Sequence, residues 1–323
     1  MKTLLNTRPA HLVMTALSLL LATQAALASP LLASDLASFT VLGASTVTNV
    51  QNSVVVGNVG VWSSDGANAI TGFLSSPGVA VADPQVTGGA VHAGTSTGTP
   101  NAMSAQAQLT TAITNLSSLG AGTTLAADLT GLMLAPGVYT VPEGTTNLSG
   151  ALTLDGQGNA NAAWVFQMSS SLITSPNSVV NLINTGDGAG IFWNVRSSAT
   201  IDTNTTFLGY ILALTSITIN TTATNLCGRV LASTGAVTLD QNRLDGTCAD
   251  AFNGSGNLSG GLEVMSDTTN GGVVTAFLPY APINPGGTVP EPSSIALLSL
   301  GFVALRLSRG QAARATALVD HPL

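Results

Sequence analysis

A short apolar strand, a hydroxyl-rich strand and a Thr/Asn/Gly corner recur along most of this 323-residue chain. The clearest copies are Phe192-Trp193-Asn194-Val195 leading to Ala199-Thr200-Ile201-Asp202, Ile211-Leu212-Ala213-Leu214 leading to Ile217-Thr218-Ile219-Asn220, and Val230-Leu231-Ala232 leading to Val237-Thr238-Leu239-Asp240. An earlier copy runs from Ala151-Leu152-Thr153-Leu154-Asp155 to Val165-Phe166-Gln167. From Ile201 to Ile219 is 18 positions, and from Ile219 to Leu239 is 20. A unit of about twenty residues cannot bury its apolar side alone, so copies must stack into a continuous core. The expectation is a mainly β protein, a β-solenoid over residues 38–245. Strand alternation would send Ile201, Ile219 and Leu239 inward and Thr200, Thr218 and Thr238 outward.

One segment breaks the rhythm. Between Pro100 and Leu119 the apolar residues Ala105, Leu109, Ala112, Ile113 and Leu116 fall at helical spacing. Thr99 is a candidate N-cap with Pro100 at the first helical position, and Gly120 a candidate stop. Its apolar stripe carries almost no charge, so the helix is expected to lie along the outside of the solenoid with that stripe buried.

Charge is scarce and one-sided. Residues 30–289 hold three basic side chains, Arg196, Arg229 and Arg243, against thirteen acids, a net charge of 3 − 13 = −10. Binding to nucleic acid requires several cations over the phosphates, so that class is excluded. An acidic disordered tail is excluded by the 45% apolar content. What remains is a folded protein with a neutral surface of Ser, Thr, Asn and Gly.

Both ends read as addresses. Lys2 and Arg8, the apolar run Leu12 to Leu21 and the small-residue site Ala26-Leu27-Ala28 make residues 1–28 a secretory signal peptide cut after Ala28. At the other end, Val289-Pro290-Glu291-Pro292-Ser293 precedes the apolar run Ile295 to Leu305 and then Arg306 and Arg309. Residues 289–309 resemble the PEP-CTERM sorting signal, in which Pro290, Glu291 and Pro292 are the motif. That resemblance implies recognition and cleavage by an exosortase at the inner membrane, after transient membrane association. The apolar run is short for a permanent anchor. Residues 310–323 form a further tail, and residues 246–288 a cap or linker. The exported compartment makes one Cys227–Cys248 disulfide the default.

The order of the repeats adds a second resemblance. It rests on Phe39-Thr40-Val41-Leu42-Gly43-Ala44-Ser45-Thr46-Val47-Thr48-Asn49, Ala69-Ile70-Thr71-Gly72, Leu134-Ala135-Pro136-Gly137-Val138-Tyr139, Leu152-Thr153-Leu154-Asp155-Gly156-Gln157-Gly158 and Ile211-Leu212-Ala213-Leu214-Thr215-Ser216-Ile217-Thr218. Together with the long helix, these stretches resemble the bacterial and fungal ice-binding protein family. The resemblance implies an irregular right-handed β-solenoid with roughly triangular coils and one α-helix packed alongside. It also implies ice, or ordered water, as the ligand.

On such a scaffold Thr200, Thr218 and Thr238 would form one outward column, with Thr153 beyond it. Asp202, Asn220 and Asp240 would form the next. At the following corner stand Thr203 and Thr206, then Thr221 and Thr224, a Thr-x-x-Thr pattern that resembles a motif on the ice-binding face of some family members. A β-branched threonine has a nearly fixed χ1, so an array of them loses little entropy on docking. The same ladder also stabilises strands by cross-strand packing alone, without any ligand. The alternative function is therefore a structural or adhesive component of the extracellular matrix, associated with exopolysaccharide.

Catalytic chemistry has little to work with. His92 is the single histidine between the two sorting segments, and no nucleophile-elbow motif accompanies it. The run Asp155 to Asn161 faintly resembles a calcium loop but lacks a bidentate glutamate, and reads as a solenoid turn. Neither a metal nor a cofactor is expected. Trp164 and Trp193 are expected in the core.

Overall fold

The computed structural model describes residues 29–50, 52–63, 69–74, 81–94, 100–248, 258–267 and 272–283. The signal peptide and the Pro290-Glu291-Pro292 motif lie outside them. The fold is mainly β, and the repeats close into stacked coils whose parallel strands make three faces.

A narrow face is built from strands of two to four residues. They stack in the order Leu172–Ile173, Ala199–Ile201, Ile217–Ile219, Val237–Asp240, Val47–Val50 and Ile70–Thr71. A broad face runs through Ala151–Asn159, Val179–Thr185, the starts of Thr206–Ala213 and Thr224–Ala232, then Arg243–Asp245, Val54–Val56 and Val86–Thr87. A third face holds Gly137–Val141, Ala163–Met168, Gly190–Val195, the ends of the two long strands, Phe39–Gly43, Asn58–Val61 and Val91–Ala93. After the short helix α1 (Ser34–Ser38), helix α2 (Ala102–Ser118) lies on this third face with Ala105, Leu109, Ala112 and Leu116 fully buried. Its cap is Asn101, whose side chain accepts from the Ser104 amide at 3.0 Å. The sequence expectation of Thr99 as the cap falls two residues short of that, because Asn101 already has the extended backbone a cap needs.

The coils do not stack in chain order. Val47 and Thr48 pair in register with Val237 and Thr238, Val41 with Val230, and Val54 with Arg243. The first coils of the chain thus cover the end left by the last ones, and α2 spans the interval between the N-terminal coils and the point where stacking starts again. Covering that end matters because an open solenoid coil exposes unpaired strand edges.

Inside, Tyr139, Phe166 and Trp193 occupy one register column. Phe166 and Trp193 stack with centroids 4.1 Å apart and planes within 11°. Both buried indoles are satisfied, Trp164 Nε1 donating to the Leu134 carbonyl and Trp193 Nε1 to that of Leu208, each at 3.0 Å. Trp164 and Trp193 are core, as their sequence setting predicts. At its C-terminal end α2 adds polar contacts to this apolar packing: Gln167 Nε2 donates to the Leu116 carbonyl at 2.6 Å and Asn194 Nδ2 to Ser117 Oγ at 3.0 Å.

Cys227 and Cys248 form a disulfide with Cα atoms 4.4 Å apart, closing a loop with a sequence separation of 21. A loop of that length contributes about 3 kcal/mol by constraining the unfolded chain. Between residues 246 and 288, Leu262–Asp267 and Gly272–Phe277 form an antiparallel hairpin, and the first of its strands pairs with Ser29–Pro30.

Candidate functional site

On the narrow face the residues that alternate inward are Ile201, Ile219, Leu239, Val47 and Ile70, all buried or nearly so. Outward, Thr200, Thr218 and Thr238 stand in register, and the column continues through Thr48 to Thr71. Thr48 and Thr71 extend it in a direction that the sequence repeat does not suggest. The signal was nonetheless present, since Val47-Thr48 repeats the pattern of Val237-Thr238. Thr153 is not in this column. It lies on the broad face opposite Asn181 and Met133, while the place beside Thr200 is held by Ile173. Chain path places it there, because Thr153 belongs to the long strand Ala151–Asn159 after the corner rather than the short one before it.

Next to the threonines, Asn220 Nδ2 donates to Asp202 Oδ1 at 2.9 Å, with Asp240 one coil further on. The Asn220 hydrogen bond and the Thr203 amide hold the Asp202 carboxyl below its ordinary pKa, so it is ionised near neutral pH. Five of the six narrow-face strands therefore offer one threonine to the outward column, the sixth offers Ile173, and carboxylates border the column at Asp202 and Asp240.

The corner between the narrow and broad faces is set by backbone conformation. Asn52, Asn177, Asn204, Thr222 and Gln241 all have positive φ, between 53° and 72° in this set. They stand one coil above another: the Asn177 amide donates to the Thr203 carbonyl, the Asn204 amide to Thr221 and the Thr222 amide to Asp240. Asparagine tolerates the left-handed region, but β-branched threonine does so at a cost. Thr203 and Thr221 precede this turn on adjacent coils, and the Thr221 hydroxyl donates to Asp240. Just past it, Ser178, Thr205, Asn242 and Ser53 point inward and are buried. Asn242 Nδ2 donates to the carbonyls of Asn220 at 2.8 Å and Ala223 at 3.0 Å, and its amide donates to Ser53 Oγ at 3.0 Å, locking three coils together.

Beyond the corner the broad face opens. Ala151, Val179, Thr206, Thr224, Arg243 and Val54 form one outward column, each in register with the next. Val54 is 44% exposed, and Thr206, Arg243 and Ala151 are exposed too. A second outward row holds Met133, Thr153 and Asn181. Within each row successive residues lie roughly 4.8 Å apart, the spacing of hydrogen-bonded strands. The sequence-predicted residues thus split into Thr200, Thr218, Thr238, Asp202 and Asn220 on the narrow face, Thr203 and Thr221 at the corner, and Thr153, Thr206 and Thr224 on the broad face.

Catalytic geometry is lacking at the other candidates. His92 lies in Val91–Ala93, is 1% exposed, meets Phe39 edge-on at 5.5 Å and bonds Asn58 Oδ1 at 3.0 Å. Burial lowers its pKa. At the run after Asp155, the carboxylate accepts from the Gln157 amide at 2.9 Å and from Asn184 Nδ2 at 2.9 Å, bonds of a solenoid turn. Among the described residues no group of three His, Cys, Asp or Glu side chains is placed to hold a metal ion.

Comparison with known proteins agrees with this architecture. Residues 41–245 match the ice-binding-like family, and residues 288–309 match the PEP-CTERM protein-sorting motif. An ice-binding protein of Nostoc sp. (strain HG1) is 42% identical over 229 residues, covering 70% of this chain and 78% of that protein. The crystal structure of an ice-binding protein from the Antarctic ascomycete Antarctomyces psychrotrophicus is similar with a TM-score of 0.55 and 33% identity, over 65% of this chain and 95% of that one. The corresponding domain of Shewanella frigidimarina ice-binding protein 1 gives a TM-score of 0.57 and 27% identity, over 68% and 98%. The solenoid, the flanking helix and these matches together establish that the chain belongs to the ice-binding-like family and carries a PEP-CTERM sorting motif.

Proposed function

We propose that this chain is an exported ice-binding protein, and that it adsorbs to ice through the broad face together with the Thr203–Thr206 and Thr221–Thr224 corner. The observation that carries the choice of face is the outward column Ala151–Val179–Thr206–Thr224, which sets methyl and hydroxyl groups in register without an intervening charge. Ice presents a flat, repeating lattice of water. A matching surface needs breadth, fixed side chains and few groups that hold their own mobile hydration.

The broad face supplies these. Its rows repeat at strand spacing, its threonines have restricted χ1, and the buried bonds of Asn242 hold the corner rigid before any ligand arrives. Ordering cost on docking is correspondingly small. The narrow face has the longer threonine ladder, but its strands are short and the Asp202 and Asp240 carboxylates beside it favour a water-exposed flank. The family relatives, which are named as ice-binding proteins, support the ligand rather than the face.

Export follows in the same reading. Residues 1–28 direct secretion, and the sorting segment holds the chain at the inner membrane until an exosortase removes it. The released solenoid then limits ice growth or recrystallisation near the cell. Thermal hysteresis and ice-recrystallisation assays on the exported protein test this. Faceted ice and suppressed recrystallisation are expected, and normal ice growth at high protein concentration would refute it.

A further inference from the structure

The last turns of α2 leave a groove where they cross the strand ends of the third face. Two hollows of about 250 and 270 Å³ lie along it, and Ser117 and Arg196 line both. Gly190–Val195 ends here, and the chain turns through Ser197 and Ser198 into Ala199–Ile201 of the narrow face. The groove therefore occupies the corner of the coil opposite the broad face, apart from the surface assigned to ice.

Arg196 is exposed, and its setting is unlike that of Arg229. The Arg229 guanidinium is buried and donates to a backbone carbonyl. Arg196 is fixed by its backbone amide, which donates to the Met168 carbonyl at 3.3 Å. Among the described residues its guanidinium donates no hydrogen bond and meets no carboxylate. No acidic side chain lines either hollow. A guanidinium left in this state presents a planar fork that fits a carboxylate through two parallel hydrogen bonds.

The groups around Arg196 narrow the ligand further. Every hydroxyl lining the hollows already gives its proton to a backbone carbonyl: Thr114 to Thr110 at 3.0 Å, Ser117 to Ile113 at 2.9 Å, Thr140 to Ala121 at 2.5 Å and Ser169 to Val141 at 3.2 Å. Such a hydroxyl has only lone pairs left to offer a ligand. Asn194 Nδ2 donates to Gln167 Oε1 at 2.8 Å and to Ser117 Oγ at 3.0 Å, so the floor is set before any ligand arrives. Sulfate or a plain carboxylate would bring acceptors against these acceptors. A neutral sugar would bring hydroxyl donors but leave the guanidinium without an anion. We propose that the groove binds a uronic acid residue of a glycan, with its carboxylate on Arg196 and its ring hydroxyls donating to Thr140 and Ser169. The second hollow, lined by Ile113, Val195 and the 43% exposed Leu214, takes the C–H face of an adjoining sugar. The excess of acids over the rest of the body repels a polymer charged at every sugar, which favours an occasional uronate among neutral sugars.

Isothermal titration of the full chain tests this with xylotriose carrying one glucuronate, unsubstituted xylotriose, free glucuronate and glutarate. The glucuronate-bearing xylotriose should bind about tenfold more tightly than xylotriose or glutarate, the effect of one bidentate charge-assisted pair. Arg196→Gln should remove that tenfold, and Arg196→Lys should keep only part of it, because an ammonium lacks the fork. Thr140→Val should weaken the glucuronate-bearing probe about threefold and leave glutarate unchanged. Weaker binding of free glucuronate would assign the groove to a polymer and equal binding to the free sugar acid; either supports recognition of the uronate. Glutarate or unsubstituted xylotriose binding as tightly as the glucuronate-bearing probe would overturn the proposal. Unchanged affinity in Arg196→Gln, or no saturation by the glucuronate-bearing probe at millimolar concentration, would overturn it as well. Thermal hysteresis of Arg196→Gln should equal that of the unmodified chain, so failure of the groove leaves the ice reading standing.

Discussion

The Arg229 guanidinium donates through Nη1 to the Phe39 backbone carbonyl at 3.0 Å, joining residues 190 positions apart in the chain. Arg229 is 5% exposed and also lies over the Tyr210 ring at 5.6 Å. This bond sits on the seam where the N-terminal coils close over the last C-terminal ones. Arg229→Ala leaves the Phe39 carbonyl without its donor and opens a cavity. A loss of about 3 kcal/mol is expected. Thermal unfolding should show the drop, and limited proteolysis should cut within residues 39–61 first.

Thr222 is the one β-branched residue among the five left-handed corner positions, at φ 61°. Its neighbours in that column are mostly asparagine. Thr222→Asn relieves the backbone cost and keeps a side chain able to donate to Asn204, as the threonine hydroxyl does. Stability should rise by about 1 kcal/mol. An unchanged or lowered melting temperature would show that the corner does not impose this conformation.

Burial holds the His92 imidazole below its ordinary pKa of 6.5. Protons therefore bind the unfolded chain before they bind the native one. The stability this neutral histidine contributes is complete above pH 6.5, declines as pH falls below it, and stops changing once pH passes the lower native value. His92→Gln should remove this step from a plot of melting temperature against pH, whatever its effect on the absolute value. A step that persists in the variant would assign it elsewhere.

Arg243 stands between Thr224 and Val54 in the outward column of the broad face. A guanidinium there carries its own hydration into an otherwise uncharged row. Arg243→Thr would extend the threonine pair to three coils. Thermal hysteresis at equal protein concentration should increase, on the order of twofold, since one more coil would match the lattice. A decrease would mean that Arg243 itself contacts ice or holds the face in shape.

Much of this was legible in the residues. Strand alternation around Thr200, Thr218 and Thr238 determined which side chains face outward, and helical spacing located α2. Local pattern could not reveal that Thr48 follows Thr238, because nothing in a repeat states which coil its edge will meet. That pairing is decided by tertiary closure of an open end. Nor could spacing show that Thr200 and Thr206, six positions apart, belong to different faces. The left-handed turn at Asn204 separates them, and asparagine alone does not announce such a turn. Thr153 was misplaced for a related reason: its alternation is that of any outward strand residue, and only chain path distinguishes the faces.

The most direct test of the account compares two double variants in a thermal hysteresis assay, both checked for unchanged folding by circular dichroism. Thr206→Tyr/Thr224→Tyr places bulk on the broad face, and Thr200→Tyr/Thr218→Tyr places the same bulk on the narrow face. Ice adsorption through the broad face predicts loss of most hysteresis in the first and near wild-type hysteresis in the second. The reverse result, or full activity in both, would contradict it.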